Sequence, residues 1–344
     1  MNICPSCKAE NPDSYQFCQF CGAKTTEEIE VFDSSQVAID TEELQLETNS
    51  EDTPIISSEI ISSESSIVTS STIYLQDITY AGKTDVGRQR DRNEDDFVAV
   101  FQTRCISGKG QISNRSDRGL FILCDGMGGH AGGAEASAIA VNSITDQFRP
   151  FWIDTLPGKQ KIEEIIANTN QAIFIKNETE KRQSLGRMGT TLVLLAVHDL
   201  QVAIAHVGDS RIYKLTNLSF PKLEQITRDH EVLNQLLDLG VDLESAQASP
   251  EAHQLTQALG PNPSDQLEPA IQFFSLTEPT LFLLCSDGLC DHDVIEQNWR
   301  SHLLPILNQE IDLQTGLNHM IELGNNLNGH DNLTAILVLS TSAH

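Results

Sequence analysis

Basic residues are scarce: 22 Lys and Arg stand against 49 Asp and Glu in 344 residues, a formal charge of -27. A molecule of that sign is repelled by nucleic acid and by anionic lipid, so neither is an expected partner. Long apolar runs are missing as well. A bilayer-crossing helix needs about 20 apolar residues, and runs such as 192–197 fall far short. Residues 1–21 lack the basic start and apolar stretch of a secretory signal. No membrane insertion is expected, and the sequence reads as cytoplasmic. In such a reducing compartment its eight cysteines are expected as metal ligands or buried thiols rather than disulfides.

The shortage of positive charge is concentrated. From Thr25 to Gly82 there is no Lys or Arg, while 13 Asp and Glu fall in the same span. Three textures follow: a Cys-rich start (1–24), an acidic Ser/Thr-rich segment (25–73) and a patterned region (74–344). The middle segment has few aromatics and runs such as Ser62, Ser63, Glu64, Ser65 and Ser66. It has too little apolar surface to offset the entropy of ordering, and reads as a disordered linker. A flexible coil of roughly 50 residues spans on the order of 40 Å.

Cys4 and Cys7, then Cys18 and Cys21, form two Cys-x-x-Cys pairs. Two tight turns of this kind present four thiolates tetrahedrally to one zinc ion. Four protein ligands leave no open position, so the ion is expected to be structural and to drive folding of a minimal zinc ribbon. So small a module has no room for a substrate pocket, and docking to a protein partner is its expected role.

In the patterned region, short apolar runs at 96–101, 119–124, 190–197, 202–207, 211–215, 280–285 and 333–339 read as strands. Helical patterns cover 133–147, 161–181, 231–240 and 313–326. The short connection between 202–207 and 211–215 predicts an antiparallel pair. Acidic residues stand at strand ends: Asp95 before one run, Asp125 and Asp287 after two others, Asp331 before the last. Clustered carboxylates stay ionised only with compensating cations. All-oxygen ligands select hard ions, Mg²⁺ or Mn²⁺, and two such ions activate water for in-line attack on phosphorus. Glycines after Asp125, namely Gly126, Gly128 and Gly129, allow close approach of backbone to an ion or a phosphate.

The ordered set Arg90, Asn93, Glu94 and Asp95; Asp125 to His130; Gly189 to Thr191; Gly208 to Arg211; Thr227, Asp229 and His230; Leu259 and Gly260; Ser286 to Gly288; and Asp331 with Asn332 resembles the bacterial type 2C metal-dependent serine/threonine protein phosphatases. The resemblance covers about 74–340. It implies an α+β fold: a four-layer αββα sandwich of two antiparallel sheets flanked by helices, with a metal channel at one end. It further implies that Asp125 bridges two Mn²⁺ or Mg²⁺ ions, with the Gly126 carbonyl on one and Asp287 and Asp331 on the other. Glu94 and Asp95 would reach the ions through water, Arg90 would grip the substrate phosphate, and Asp209 would help hold a possible third ion. The expected substrates are phosphorylated proteins, products of serine/threonine kinases. Met127 departs from family members that carry a general-acid histidine there, and His130 is an alternative donor or a structural residue. Residues 245–253 match the place of a variable flap beside the site. Two other readings use the same residues: a phosphoprotein-binding scaffold, and hydrolysis of small phosphate esters.

Overall fold

The structure, a computed structural model, describes residues 2–3, 10–11, 74–106, 114–128, 132–152 and 155–343. The acidic segment 25–73, the four N-terminal cysteines and His130 lie outside these residues. At the start of the chain β1 (Asn2–Ile3) and β2 (Glu10–Asn11) pair antiparallel, Asn2 opposite Asn11.

From Tyr74 onward come β3 (Tyr74–Asp85), β4 (Asp96–Ile106), β5 (Asn114–Cys124) and the short β6 (Gly126–Met127). Helices α1 (Gly132–Phe148) and α2 (Lys159–Thr179) precede the short β7 (Gly189–Thr190) and strands β8 (Leu192–His198), β9 (Gln201–Val207), β10 (Arg211–Thr216) and β11 (Lys222–Gln225). Two small helices, α3 (Val232–Asp238) and α4 (Leu243–Gln247), lead to β12 (Ala270–Ser275) and β13 (Thr280–Cys285). The chain then runs through α5 (Asp287–Cys290), α6 (Val294–His302), α7 (Leu304–Leu307) and α8 (Leu313–Leu327) into β14 (Leu333–Ala343).

Ten strands build two five-stranded antiparallel sheets, in the orders β11-β10-β13-β14-β3 and β12-β9-β8-β5-β4. The continuous apolar runs exist because the central strands are buried on both faces. Along β5, Leu120, Ile122 and Cys124 face α1 and α2, while Phe121 and Leu123 face the opposite sheet. Along β13, Leu281, Leu283 and Cys285 face α6 to α8, and Phe282 and Leu284 point between the sheets. Successive strand residues point to opposite faces, so each strand serves two cores at once. Each fully buried side chain of this size contributes about 1.5–3 kcal/mol. Helix, sheet, sheet and helix therefore stack with three apolar layers between them, which is the predicted sandwich.

The seven predicted strands and four predicted helices are all present, with ends moved by a few residues. The predicted strand at 190–197 divides into β7 and β8 at Thr191. One expectation is corrected. Strands β9 and β10 do not pair: β9 lies between β8 and β12, and β10 between β11 and β13 in the other sheet. Their connection, Gly208 to Ser210, crosses the sandwich. Three extended residues span about 10 Å, the spacing of packed sheets, so a short link serves a crossing as readily as a hairpin.

Candidate active site: a carboxylate cleft between the sheet ends

Strand ends from both sheets meet at one edge of the sandwich. The helix-backed sheet of β5 supplies Asp125, just past Cys124, and Asp95, just before β4. The other sheet supplies Asp287 after β13 and Asp331 before β14, and the crossing between sheets brings in Asp209. Arg90, Glu94, Asp125, Gly126, Met127, Asp209, Asp287 and Asp331 line a cleft of about 290 Å³, closed on one side by Leu255. Every predicted residue of the Mn/Mg site reaches this cleft except Asp95, which stands behind its wall.

Backbone clamps fix the Asp125 turn. The Asp125 amide donates to Thr191 Oγ1 (2.9 Å), and its carbonyl accepts from the Thr191 amide and the Thr190 hydroxyl (2.8 Å each). Thr191 Oγ1 also meets Ser210 Oγ at 2.8 Å, tying the turn to the crossing that carries Asp209. Gly126 is wedged so tightly that a Cβ would come within 2.2 Å of the Gly133 carbonyl oxygen and 2.5 Å of that of Glu94. Only glycine fits there, and its amide donates to the Glu94 carbonyl at 3.1 Å.

Asn332 pins the loop that bears Arg90 and Glu94. Its Oδ1 accepts from the Glu94 amide (2.8 Å), and its Nδ2 donates to the carbonyls of Val86 (3.0 Å) and Arg92 (2.8 Å). The half-exposed Arg90 guanidinium reaches across to Asp331 Oδ2. Burial opposes the charge of Arg90, but Asp331, Asp125 and Asp287 more than restore it. Asp95 Oδ2 accepts from the hydroxyls of Ser286 (2.8 Å) and Thr334 (2.6 Å).

The cluster is electrostatically tense. Burial first, then neighbouring carboxylates, hold Asp125 and Asp209 well above the usual range. Burial pushes Asp95 up to about 7 despite its two hydroxyl donors. Asp287 rises to about 6 through burial and Asp291, and it shares a hydrogen bond with Asp125. Glu94 is raised by burial, with Arg90 opposing. Two buried oxygens, Asp95 Oδ1 and Asp287 Oδ1, have no hydrogen-bond partner.

Such oxygens fit hard divalent cations, which reverse the upward shifts and satisfy the orphaned atoms. Among the described residues no three side chains converge on a single ion-sized point. Ligation here would require small rotations of the carboxylates around the cleft.

Sequence patterns gave no reason to single out Leu255, Thr334 or His206. Thr191, Ser286 and Asn332 lay inside recognised motifs without a role attached. The cysteines Cys124 and Cys285 are fully buried core residues, as expected from their strands.

Comparison with known proteins places the chain in a family. The chain is 33% identical over 263 residues to protein phosphatase PhpP of Streptococcus pneumoniae, covering 74% of this chain and 94% of that one. It is 34% identical to the serine/threonine phosphatase Stp of Listeria monocytogenes, with 74% and 93% covered. The crystal structure of the Mycobacterium tuberculosis serine/threonine phosphatase PstP/Ppp superimposes with a TM-score of 0.57 at 29% identity, covering 77% of this chain and 98% of that one. The catalytic domain of PstP with two manganese ions is similar too, at 28% identity and a TM-score of 0.55, with 77% and 98% covered. The family profile for protein phosphatase 2C matches residues 109–322, a span that stops short of Arg90, Glu94 and Asp331, which the fold brings to the same cleft. By that match and by these relatives, the chain belongs to the protein phosphatase 2C family.

Proposed function

We propose that this protein is a metal-dependent serine/threonine protein phosphatase that hydrolyses phosphoserine and phosphothreonine in phosphoproteins. The observation that carries this reading is the convergence, in one cleft, of carboxylates from both sheets with a guanidinium facing them. Asp125, Asp287 and Asp331, with the Gly126 carbonyl, would hold two Mn²⁺ or Mg²⁺ ions, and Glu94 and Asp95 would reach them through water. Asp209 would help hold a third. When bound, these ions supply an activated water and stabilise charge on the phosphoryl oxygens.

The protein's own groups do the remaining work. Arg90 is bound to Asp331 in the structure. Moved to the substrate, its planar fork would bind two phosphate oxygens and orient phosphorus for in-line attack. Ser286 and Thr334 hold Asp95 in place through its Oδ2, which leaves the buried Oδ1 without a hydrogen-bond partner and able to accept from a metal-bound water. Met127 lines the cleft where some relatives of this type carry histidine, and no histidine lines the cleft among the described residues. The proton for the leaving alkoxide would then come from water, from another ion or from a different residue such as His130, which lies outside the described residues.

Phosphate release from a phosphothreonine peptide tests the reading. Turnover with Mn²⁺ or Mg²⁺ is expected, with none in EDTA and at least about 100-fold less in Asp287→Asn, since loss of a ligand to a shared ion weakens both binding and charge stabilisation. Full activity in EDTA, or in Asp287→Asn, would overturn it.

The N-terminal cysteines belong to the same proposal. The sequence supports them as ligands: Cys4 and Cys7, then Cys18 and Cys21, are two Cys-x-x-Cys pairs, a set that suits one tetrahedral zinc ion. Cys18 and Cys21 would complete one structural Zn²⁺ site, on a module that docks a protein partner.

A further inference from the structure

We propose that the imidazole of His230 is a positioning group that locks the Gly208–Asp209 turn and so sets the Asp209 carboxylate, while the His230 backbone ties that turn to the base of the segment 230–256, which carries Leu255. The proposal rests on the phosphatase reading of that cleft.

His230 and Gly208 are joined twice. The Gly208 amide donates to His230 Nδ1 (3.2 Å), and the His230 amide donates to the Gly208 carbonyl (2.9 Å). The His230 carbonyl in turn accepts from the Thr256 amide (2.8 Å), and Glu231 bridges antiparallel to Leu255. Val232 and Leu233 continue the contact by donating to the carbonyls of Gln254 and Ala252. One residue thus links the crossing between the sheets to the strand-like return that carries Leu255.

The imidazole is held from its other side too. His206, 2% exposed on β9, stacks on it with ring centroids 4.7 Å apart and planes 26° apart. His206 Nε2 lies 2.8 Å from the Arg228 carbonyl oxygen, anchoring the stack to the backbone just before His230. Because Nδ1 accepts from an amide, it has no proton, and the ring proton is on Nε2. Burial, then His206 and Arg228, push His230 down to about 4, so this neutral tautomer persists at neutral pH.

Gly208 has little freedom to reorient. Its φ of +102° lies in the left-handed region, and a Cβ there would meet Thr191 Cγ2 at 2.7 Å. Thr191 on one side and His230 on the other therefore fix the peptide from which Asp209 projects into the cleft. An aromatic ring without an acceptor would keep the stack and lose this lock.

Two substitutions separate hydrogen bonding from packing. His230→Phe preserves the stack on His206 and removes the acceptor. His230→Asn places Oδ1 near the position of Nδ1 and removes the stack. In Mn²⁺-dependent hydrolysis of a phosphothreonine peptide, His230→Phe is expected to lower kcat about tenfold, and His230→Asn to stay within about threefold of the unsubstituted protein. In an Asp209→Asn background, His230→Phe should cost nothing further, because both changes disable the same group. If His230→Phe matches the unsubstituted protein, or if its effect multiplies with that of Asp209→Asn, the inference is wrong while the phosphatase reading stands. No turnover from the unsubstituted protein would sink both. A measurement on the unsubstituted protein needs no variant to fold: imidazole ¹⁵N shifts should report His230 with Nε2–H and a bare Nδ1, and the opposite tautomer would overturn the proposal.

Discussion

Arg90 shows what a single residue contributes and what its type demands. Its guanidinium already sits against a carboxylate of the cleft, half exposed and free to exchange that partner for a phosphate. Charge-assisted bonds contribute about 1.5–3 kcal/mol each, or roughly 10–100-fold in affinity. Arg90→Ala is therefore expected to raise KM for a phosphopeptide by about that factor, with a smaller change in kcat. Arg90→Lys should recover only part of it, since an ammonium cannot fork; steady-state kinetics on one peptide series decides. Asp95, Asp125, Asp287 and Asp331 were legible from sequence because each stands beside an apolar run, whereas Arg90, Glu94 and Asp209 stood out only through the family resemblance. Their supports were not legible. Ser286 and Thr334 meet Asp95 from 191 and 239 residues away, and a hydroxyl at a strand end or inside a strand carries no local mark of such a partner.

At the scale of elements, the legible strands were those buried on both faces. The three missed from the two large sheets are edges: β3 has few large apolar residues in its sequence, β11 is short and largely exposed, and β12 is only partly buried. The fourth edge, β4, was legible through its run Phe97 to Phe101. The wrongly paired β9 and β10 were misread because a short link between two apolar runs does not say which sheet receives the second. The strand ends also define a pH dependence. Asp95 and Asp287 titrate near 7 and 6 in the folded protein and near 3.8 when unfolded. Raised acids favour folding when protonated, so this stabilisation is complete below about pH 4 and is lost as pH rises through 6 and 7. Metal-free protein in EDTA is expected to gain several degrees in Tm between pH 7.5 and 5.5. Mn²⁺ at pH 7.5 should restore much of that difference, because the ions take over the work of the protons. A calorimetric series that is flat in pH would contradict the buried cluster.

Across the whole molecule, every residue assigned to the Mn/Mg site lies between Arg90 and Asp331, and the fold that holds them runs from Tyr74 to Ala343. Removal of 1–24 is accordingly expected to leave turnover of a short phosphopeptide within about twofold. The same truncation should abolish about one equivalent of zinc per chain, measured by metal analysis, if the four cysteines form one closed site. Retained zinc would place that ion elsewhere.

The pairing of β14 with β3, from Leu333 opposite Asp85 to Ala343 opposite Tyr74, gives the catalytic unit a temporal property. β14 is an interior strand, flanked by β13 and β3, and Asp331 immediately precedes it. During synthesis, β3 emerges well before β14 and must wait for every other strand of the two large sheets before its neighbour exists. Such long-range closure is slow, and it comes last in vectorial synthesis. A ribosome-bound chain that has not yet released β14 therefore lacks a completed sheet and one wall of the cleft together. Phosphatase competence should switch on in one step once β14 has cleared the ribosome, and the nascent chain is silent toward phosphoproteins around it until then.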